Sequence, residues 1–434
     1  MKLRSITSAI YKHSPKRVQF CITQTKAFLR ERIVDPLRIP KIQSEIASLV
    51  QRVAKRERYR FVFLVPISSQ WKHDLLYEAL SKDPSFDVDI LVCPTEFPMS
   101  SEVKEKYCFT LYEMRKSGYH PIEAVRSEYS LLPIDSLGAD ILFYITPYDV
   151  LMPQEYRMSC TYQEALLCYS RYGYLFDTTR QWHVNKNFGF LWQIFLSSKS
   201  DELLYHKYST FGGTNGFALG PILIDNLRKA ERETPKDAPP LVIIAPHHSI
   251  EPWGYALSNF LRMADYFKTL PQKFEGRLKF AFKPHPHLKS KLYNLPSWGR
   301  EKTDKYYTFW QKTPGCELQE GPYADLFARS AAMVHDCSAF CLEYQLCNKP
   351  ALFIRRNHRI PKKLDEVGQL AFSLHTMADE SYEIDVFLNR VAAHTIRQDL
   401  DKQKELSQKA LPYGDRSVAD VIVRHIKKSL KVAE

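Results

Sequence analysis

The sequence predicts an α/β protein of two Rossmann-like domains facing a cleft, with a basic helical extension at its N-terminus. Three observations point there. Short apolar runs recur between stretches of helical periodicity, the pattern of buried parallel strands joined by crossover helices. A proline-rich segment, Thr234-Pro235-Lys236-Asp237-Ala238-Pro239-Pro240, divides these runs into two sets. The net charge of +12 sits almost wholly in residues 1–60, where 15 Lys and Arg face four acids. The expected organisation is a basic amphipathic helical extension over 1–58, an N-terminal Rossmann-like domain over 59–220, a C-terminal Rossmann-like domain over 221–376 and closing helices over 377–434.

In the extension, Val18, Cys21, Ile22, Thr25, Phe28 and Leu29 follow helical spacing, and beyond Pro36 and Pro40 so do Ile42, Ile46, Leu49, Val50 and Val53. Two basic amphipathic helices are predicted. They suit an anionic membrane surface, packing on the main body, or, since residues 1–30 hold no acid, an organellar transit segment. Strands are expected at Arg60–Val65, Asp87–Cys93, Ala139–Ile145 and Ala165–Tyr169, with a helix from about Lys72 to Leu80. A helix at Leu223–Glu233 leads to the linker, and the second set of strands is Leu241–Ala245, Leu278–Phe282, Ala331–His335 and Ala351–Ile354.

Apolar residues make up 44% of the chain and charged residues 25%, which excludes general disorder. No run of 18 uncharged apolar residues exists and no apolar secretory stretch opens the chain, so a reduced, cytosolic setting is expected. Nine Cys without a C-x-x-C pair read as free thiols rather than a zinc ribbon or a disulfide framework.

Three segments of the second set place polar residues at strand ends, where doubly wound sheets bind ligands. Ala245-Pro246-His247-His248-Ser249 offers two imidazoles for phosphate binding or proton transfer, or for solvation of a loop. In Phe282-Lys283-Pro284-His285-Pro286-His287, prolines on both sides of His285 stiffen the backbone beside the Lys283 cation. No carboxylate or Cys lies near in sequence to complete a metal ligand set. In His335-Asp336-Cys337-Ser338, Asp336 and Ser338 stand where a strand passes into a helix, a place suited equally to capping and to phosphate.

In this order and on this fold, the segments resemble the CDP-glycerol glycerophosphotransferase family, which builds teichoic-acid-like and capsule polymers. The matching residues are Lys283-Pro284-His285-Pro286 and Asp336-Cys337-Ser338, followed by Glu343-Tyr344 and Asn348-Lys349-Pro350-Ala351-Leu352-Phe353. They span about 240–355; residues 59–225 match by strand order alone. The resemblance implies the GT-B architecture and a transferase at the inner face of the cell membrane. It would move an alditol phosphate, glycerol phosphate foremost, from a CDP-alditol to a hydroxyl of a polymer or lipid-linked acceptor, releasing CMP. On that basis His285, Lys283 and His248 are the expected catalytic residues. Ser338, Asp336, His247 and Glu343 are expected to hold the donor phosphates and nucleotide. No cofactor, metal ion or nucleic-acid partner is expected.

The family's Trp-His-Gly motif is replaced here by Tyr169-Ser170-Arg171-Tyr172-Gly173-Tyr174, so the N-terminal half supplies no obvious base. His183 and His120 lie in that half, with nothing in the sequence to place them in the cleft. Two rival functions remain: a GT-B glycosyltransferase using a nucleotide sugar, and a non-enzymatic binding protein acting through its basic extension.

Overall fold

A computed structural model describes residues 35–171, 173–185, 187–233, 240–251, 256–359 and 363–430. The first extension helix, over Val18–Leu29, lies outside them, as does all of the linker except Pro240. The chain forms two parallel sheets. The first holds β1 (Tyr59–Val65), β2 (Phe86–Val92), β3 (Ile122–Glu123), β4 (Ile141–Tyr144), β5 (Leu166–Ser170), β6 (Gln193–Leu196) and β7 (Gly216–Ala218) in the order β3-β2-β1-β4-β5-β6-β7. The second holds β8 (Leu241–Ala245), β9 (Lys279–Phe282), β10 (Cys316–Leu318), β11 (Ala332–His335), β12 (Ala351–Ile354) and β13 (Thr376–Ala378) in the order β10-β9-β8-β11-β12-β13. Both are doubly wound, and both reverse direction beside their first strand.

The second sheet is covered on both faces. Val242, Ile244, Phe280, Phe282, Val334 and Leu352 pack with helices Phe260–Lys273, Gly299–Lys312 and Ser381–Ala392. Ile243, Ala281, Met333 and Phe353 face the other way, into a core shared with helix Glu366–Ser373 and with the first domain. This double burial is why the strands read as continuous apolar runs in the sequence. The reversal point brings β9, β8 and β11 side by side, with Ile244 between Phe282 and Val334. The three polar segments therefore end as neighbours.

Most strand and helix ends fall within about two residues of expectation, and two features of the terminal helices go beyond it. Helix Asp35–Val53 starts before Pro36 rather than after Pro40, and Pro40 removes one of its internal hydrogen bonds. Its residues Ile39, Ile42, Leu49 and Val53 are buried, and it lies against β5 and Phe188–Phe190. This part of the extension is thus packed on the first domain. Residues 377–430 are not one closing unit either. Helix Ser381–Ala392 joins the second domain's core, whereas helix Val418–Ser429 crosses back to the first domain. There Asp225 accepts from the Val418 and Ala419 amides at 3.0 and 2.8 Å, and Lys427 pairs with Asp83 at 2.8 Å. No helix among the described residues is long and apolar enough to cross a membrane.

Candidate active site

The site is assembled by the loops leaving β8, β9 and β11. Asp336, just past β11, is 2% exposed and spends both carboxylate oxygens on backbone amides, those of His247 at 2.6 Å and Asn259 at 2.5 Å. Burial holds its carboxyl up to about 7 against those hydrogen bonds. The carboxylate thereby pins His247 and Asn259, and Arg356 donates to the Ser249 carbonyl at 3.0 Å. Asn259 extends the network to the Ile354 carbonyl at the end of β12.

Pinned in this way, the loop presents His247 and His248 to His285 from β9, with ring centroids 5.1 and 4.1 Å from it. The His285 amide donates to the Pro246 carbonyl at 3.1 Å, locking the two loops together. Burial, the largest cause, and the neighbouring rings lower the pKa of His247 to about 3, of His248 to about 4 and of His285 to about 2, so all three are neutral.

Their tautomers follow from the backbone. The Ser249 amide donates to His247 Nδ1 at 3.2 Å, and the His287 amide donates to His285 Nδ1 at 3.1 Å. An Nδ1 that accepts cannot carry the proton, so His285 exposes Nε2–H; His247 does so when the Ser249 hydroxyl, 2.8 Å from its Nδ1, also donates to it. One donor atom from each of the three His lies within 4.8 Å of the others, a spacing a metal could use. A ligating His normally donates its second N–H outward; His247 and His285 accept there instead, which makes them hydrogen-bond donors suited to an anion. His248 differs, since its buried Nδ1 has no hydrogen-bond partner among the described residues and no neighbour fixes its tautomer.

Lys283 completes the set. It is 4% exposed, and among the described residues no carboxylate pairs with it; its ammonium lies 5.8 Å from the Tyr323 ring. Burial lowers its pKa to about 8. A buried cation with no carboxylate partner among the described residues, near enough to His285 to disfavour its protonation, suits a phosphate.

Glu343 meets this group through Tyr323, whose ring faces Lys283. It accepts from the Tyr323 hydroxyl at 2.6 Å, which in turn accepts from Lys72 of the first domain at 2.7 Å. The triad joins the two domains across the cleft. Ser338, half-buried, opens the short helix Ser338–Glu343. His183 is held by Asp201 and the Asp177 carbonyl inside the first domain, His120 is exposed, and Arg171 pairs with Asp201 at 2.8 Å. Beside the pinned loop opens a cavity of about 310 Å³, lined by Asn259, Arg262, Arg355, Arg356, Asn357 and Asp379 among others.

Sequence reading missed Lys72, Tyr323, Asn259 and Arg356. Lys72 alone left a signal, as a cation shortly after the first strand of the first domain, where that sheet too reverses.

No family model and no curated protein matches the chain. Solved structures do. A UDP-N-acetylglucosamine 2-epimerase superposes with a TM-score of 0.53 at 13% identity, over 87% of this chain and 98% of that one. A putative UDP-N-acetylglucosamine 2-epimerase from Listeria monocytogenes gives 0.53 at 14% identity, with the same coverage. The wall teichoic acid polymerase TagF gives 0.52 at 11% identity, over 94% of this chain and 98% of that one. At such identities the likeness concerns architecture, and with the two facing doubly wound sheets it establishes that this chain has the GT-B fold.

Proposed function

We propose that the protein is a transferase that moves an alditol phosphate from a CDP-alditol to an acceptor hydroxyl, releasing CMP. The observation that carries this reading is the buried Lys283, which no carboxylate pairs with among the described residues, on the strand-end loop that also carries His285 of the His247–His248–His285 cluster. In this scheme Lys283, His247 and His285 hold the diphosphate oxygens, and the 310 Å³ cavity takes the nucleoside. The acceptor oxygen attacks the phosphorus that bears the alditol. The bond from that phosphorus to the bridging oxygen breaks, and CMP leaves with the bridging oxygen. His248, packed against His285, is the proposed acceptor of the hydroxyl proton. Lys283 and the N–H donors stabilise charge building on the transferring group. The likeness to TagF and the ordered motifs support the same donor class.

The acceptor is proposed to lie at an anionic membrane surface, reached through the basic extension. A second reading, a nucleotide-sugar enzyme, is favoured by one observation: the epimerase structures superpose as well as TagF does. Product mass spectrometry with CDP-glycerol, other CDP-alditols and UDP-sugars separates the two. CMP together with an acceptor heavier by one alditol phosphate is the expected result. Turnover of UDP-sugars alone overturns the first reading in favour of the second.

A further inference from the structure

Behind the pinned loop lies a second cluster of donor atoms, closed off from solvent. His335 ends β11, Cys341 belongs to helix Ser338–Glu343, and His375 lies between helix Glu366–Ser373 and β13. Their exposures are 1%, 0% and 8%. One donor atom from each lies within 4.8 Å of the other two, and the two imidazole Nε2 atoms are 3.1 Å apart. Phe353 and Phe372 wall the pair.

Here the outward nitrogens behave oppositely to those of the cleft. His375 Nδ1 is 2.8 Å from the Ala371 carbonyl, so it carries the proton and leaves a lone pair on Nε2. His335 Nδ1 is 3.0 Å from the Cys337 carbonyl and 3.3 Å from the Cys337 amide. Two arrangements follow. Either His335 Nδ1 accepts from that amide and its Nε2–H is shared with His375, or Nδ1–H donates to the carbonyl and both Nε2 lone pairs converge beside the Cys341 sulfur. A cation between them stabilises the second. Each ligating imidazole then donates outward to a backbone carbonyl, the usual support for a metal-bound His.

We propose that His335, Cys341 and His375 bind a single thiophilic d10 ion, Zn²⁺ or Cu⁺. With metal–nitrogen bonds of about 2.0–2.1 Å, two imidazole nitrogens on a tetrahedral ion stand about 3.3 Å apart, close to the spacing found. The ligands come from three separate elements whose donor atoms the fold already brings together. On binding, the His335 proton moves from Nε2 to Nδ1 and Cys341 loses its thiol proton to solvent, a net release of one proton. Zn²⁺ would take a fourth, external ligand, whereas Cu⁺ with one thiolate and two imidazoles is charge-neutral and complete. The ion would brace β11, the helix after it and β13 directly beneath Asp336.

The test loads the full-length protein anaerobically with Zn²⁺ or Cu⁺, removes unbound metal by gel filtration and measures metal per chain by mass spectrometry. About one ion per chain is expected, falling about tenfold or more in Cys341→Ser and His375→Asn but not in His248→Asn. Retention in Cys341→Ser together with loss in His248→Asn would assign the metal to the cleft and overturn the proposal, as would an unmodified protein that holds no metal. Because Cys341→Ser could unfold, Co²⁺ is also added to the unmodified protein, where sulfur-to-cobalt charge transfer in the near ultraviolet is expected; a Co²⁺ spectrum without that band also overturns it.

Discussion

Three histidines of the cleft share one residue type but differ in role because backbone amides choose their tautomers. His285 is expected to act as an N–H donor to the transferring phosphate. His285→Ala should lower turnover by about 10²-fold, the range for a lost oxyanion contact, while leaving the folded state intact; near-normal turnover in a folded variant would remove it from the site. Lys283 makes a second prediction at this scale. Its pKa is lowered to about 8, with burial the main cause, so the ammonium is charged below that pH and increasingly neutral above it. Affinity for CMP, read by calorimetry, should therefore weaken as pH rises past about 8, and Lys283→Met should weaken it at pH 7 and flatten that dependence. Equal pH profiles for the two proteins would show that another group titrates.

At the scale of elements, the strands that read clearly in the sequence are those buried on both faces: β8 and β12 appear with the bounds their apolar runs suggest. Edge strands such as β3, β10 and β13 carry two or three residues each and leave no period to read. The site was half legible for a related reason. Lys283, His285 and the His247-His248 pair stand directly after strands, where position alone signals chemistry. Asn259, Arg356 and Tyr323 reach the same place from distant loops, through contacts that only the fold creates. Asp336 was legible as a strand-end residue, but not the two amides that occupy it. The same holds for Asp225, whose carboxylate seats the first turn of helix Val418–Ser429. Asp225→Ala should cost about 1–3 kcal/mol, the range for a lost cap and unsatisfied buried amides, with the shift read as a lower urea midpoint. An unchanged midpoint would mean that Ser417 caps that helix unaided.

For the molecule as a whole, burying neutral imidazoles sets the response to acid. His73, His247, His248 and His285 have folded pKa values of about 3, 3, 4 and 2, far below the usual 6.5 of an unfolded chain. As pH falls below 6.5 the unfolded state takes up protons that the folded state refuses, so stability present at pH 7 is lost toward pH 4. Each group contributes a slope of up to about 1.4 kcal/mol per pH unit. Asp336 and Asp365, held up to about 7 and about 6 by burial, act in the opposite sense and are outnumbered. The urea midpoint should drop from pH 7 to pH 5; a flat profile would mean that the imidazoles protonate without unfolding. The extension makes the other prediction at this scale. Residues 1–34 hold eight Lys and Arg against one acid, and each cation near an anionic surface contributes about 1 kcal/mol. Deleting 1–34, which spares the packed helix, should release the protein from anionic liposomes while turnover on a short soluble acceptor persists. Full co-sedimentation of the truncated protein would refute the anchor.

Because helix Val418–Ser429 returns to the first domain, the chain passes between the domains twice, near 221–240 and again between 393 and 417. The second domain is therefore topologically an insert, tethered at both of its ends like a door on two hinges. With two covalent connections and a shared core, the second domain is held to the first more tightly than a single linker would hold it. Lys72, Tyr323 and Glu343 add a hydrogen-bonded tie between that insert and the first domain, beside the core that the two share.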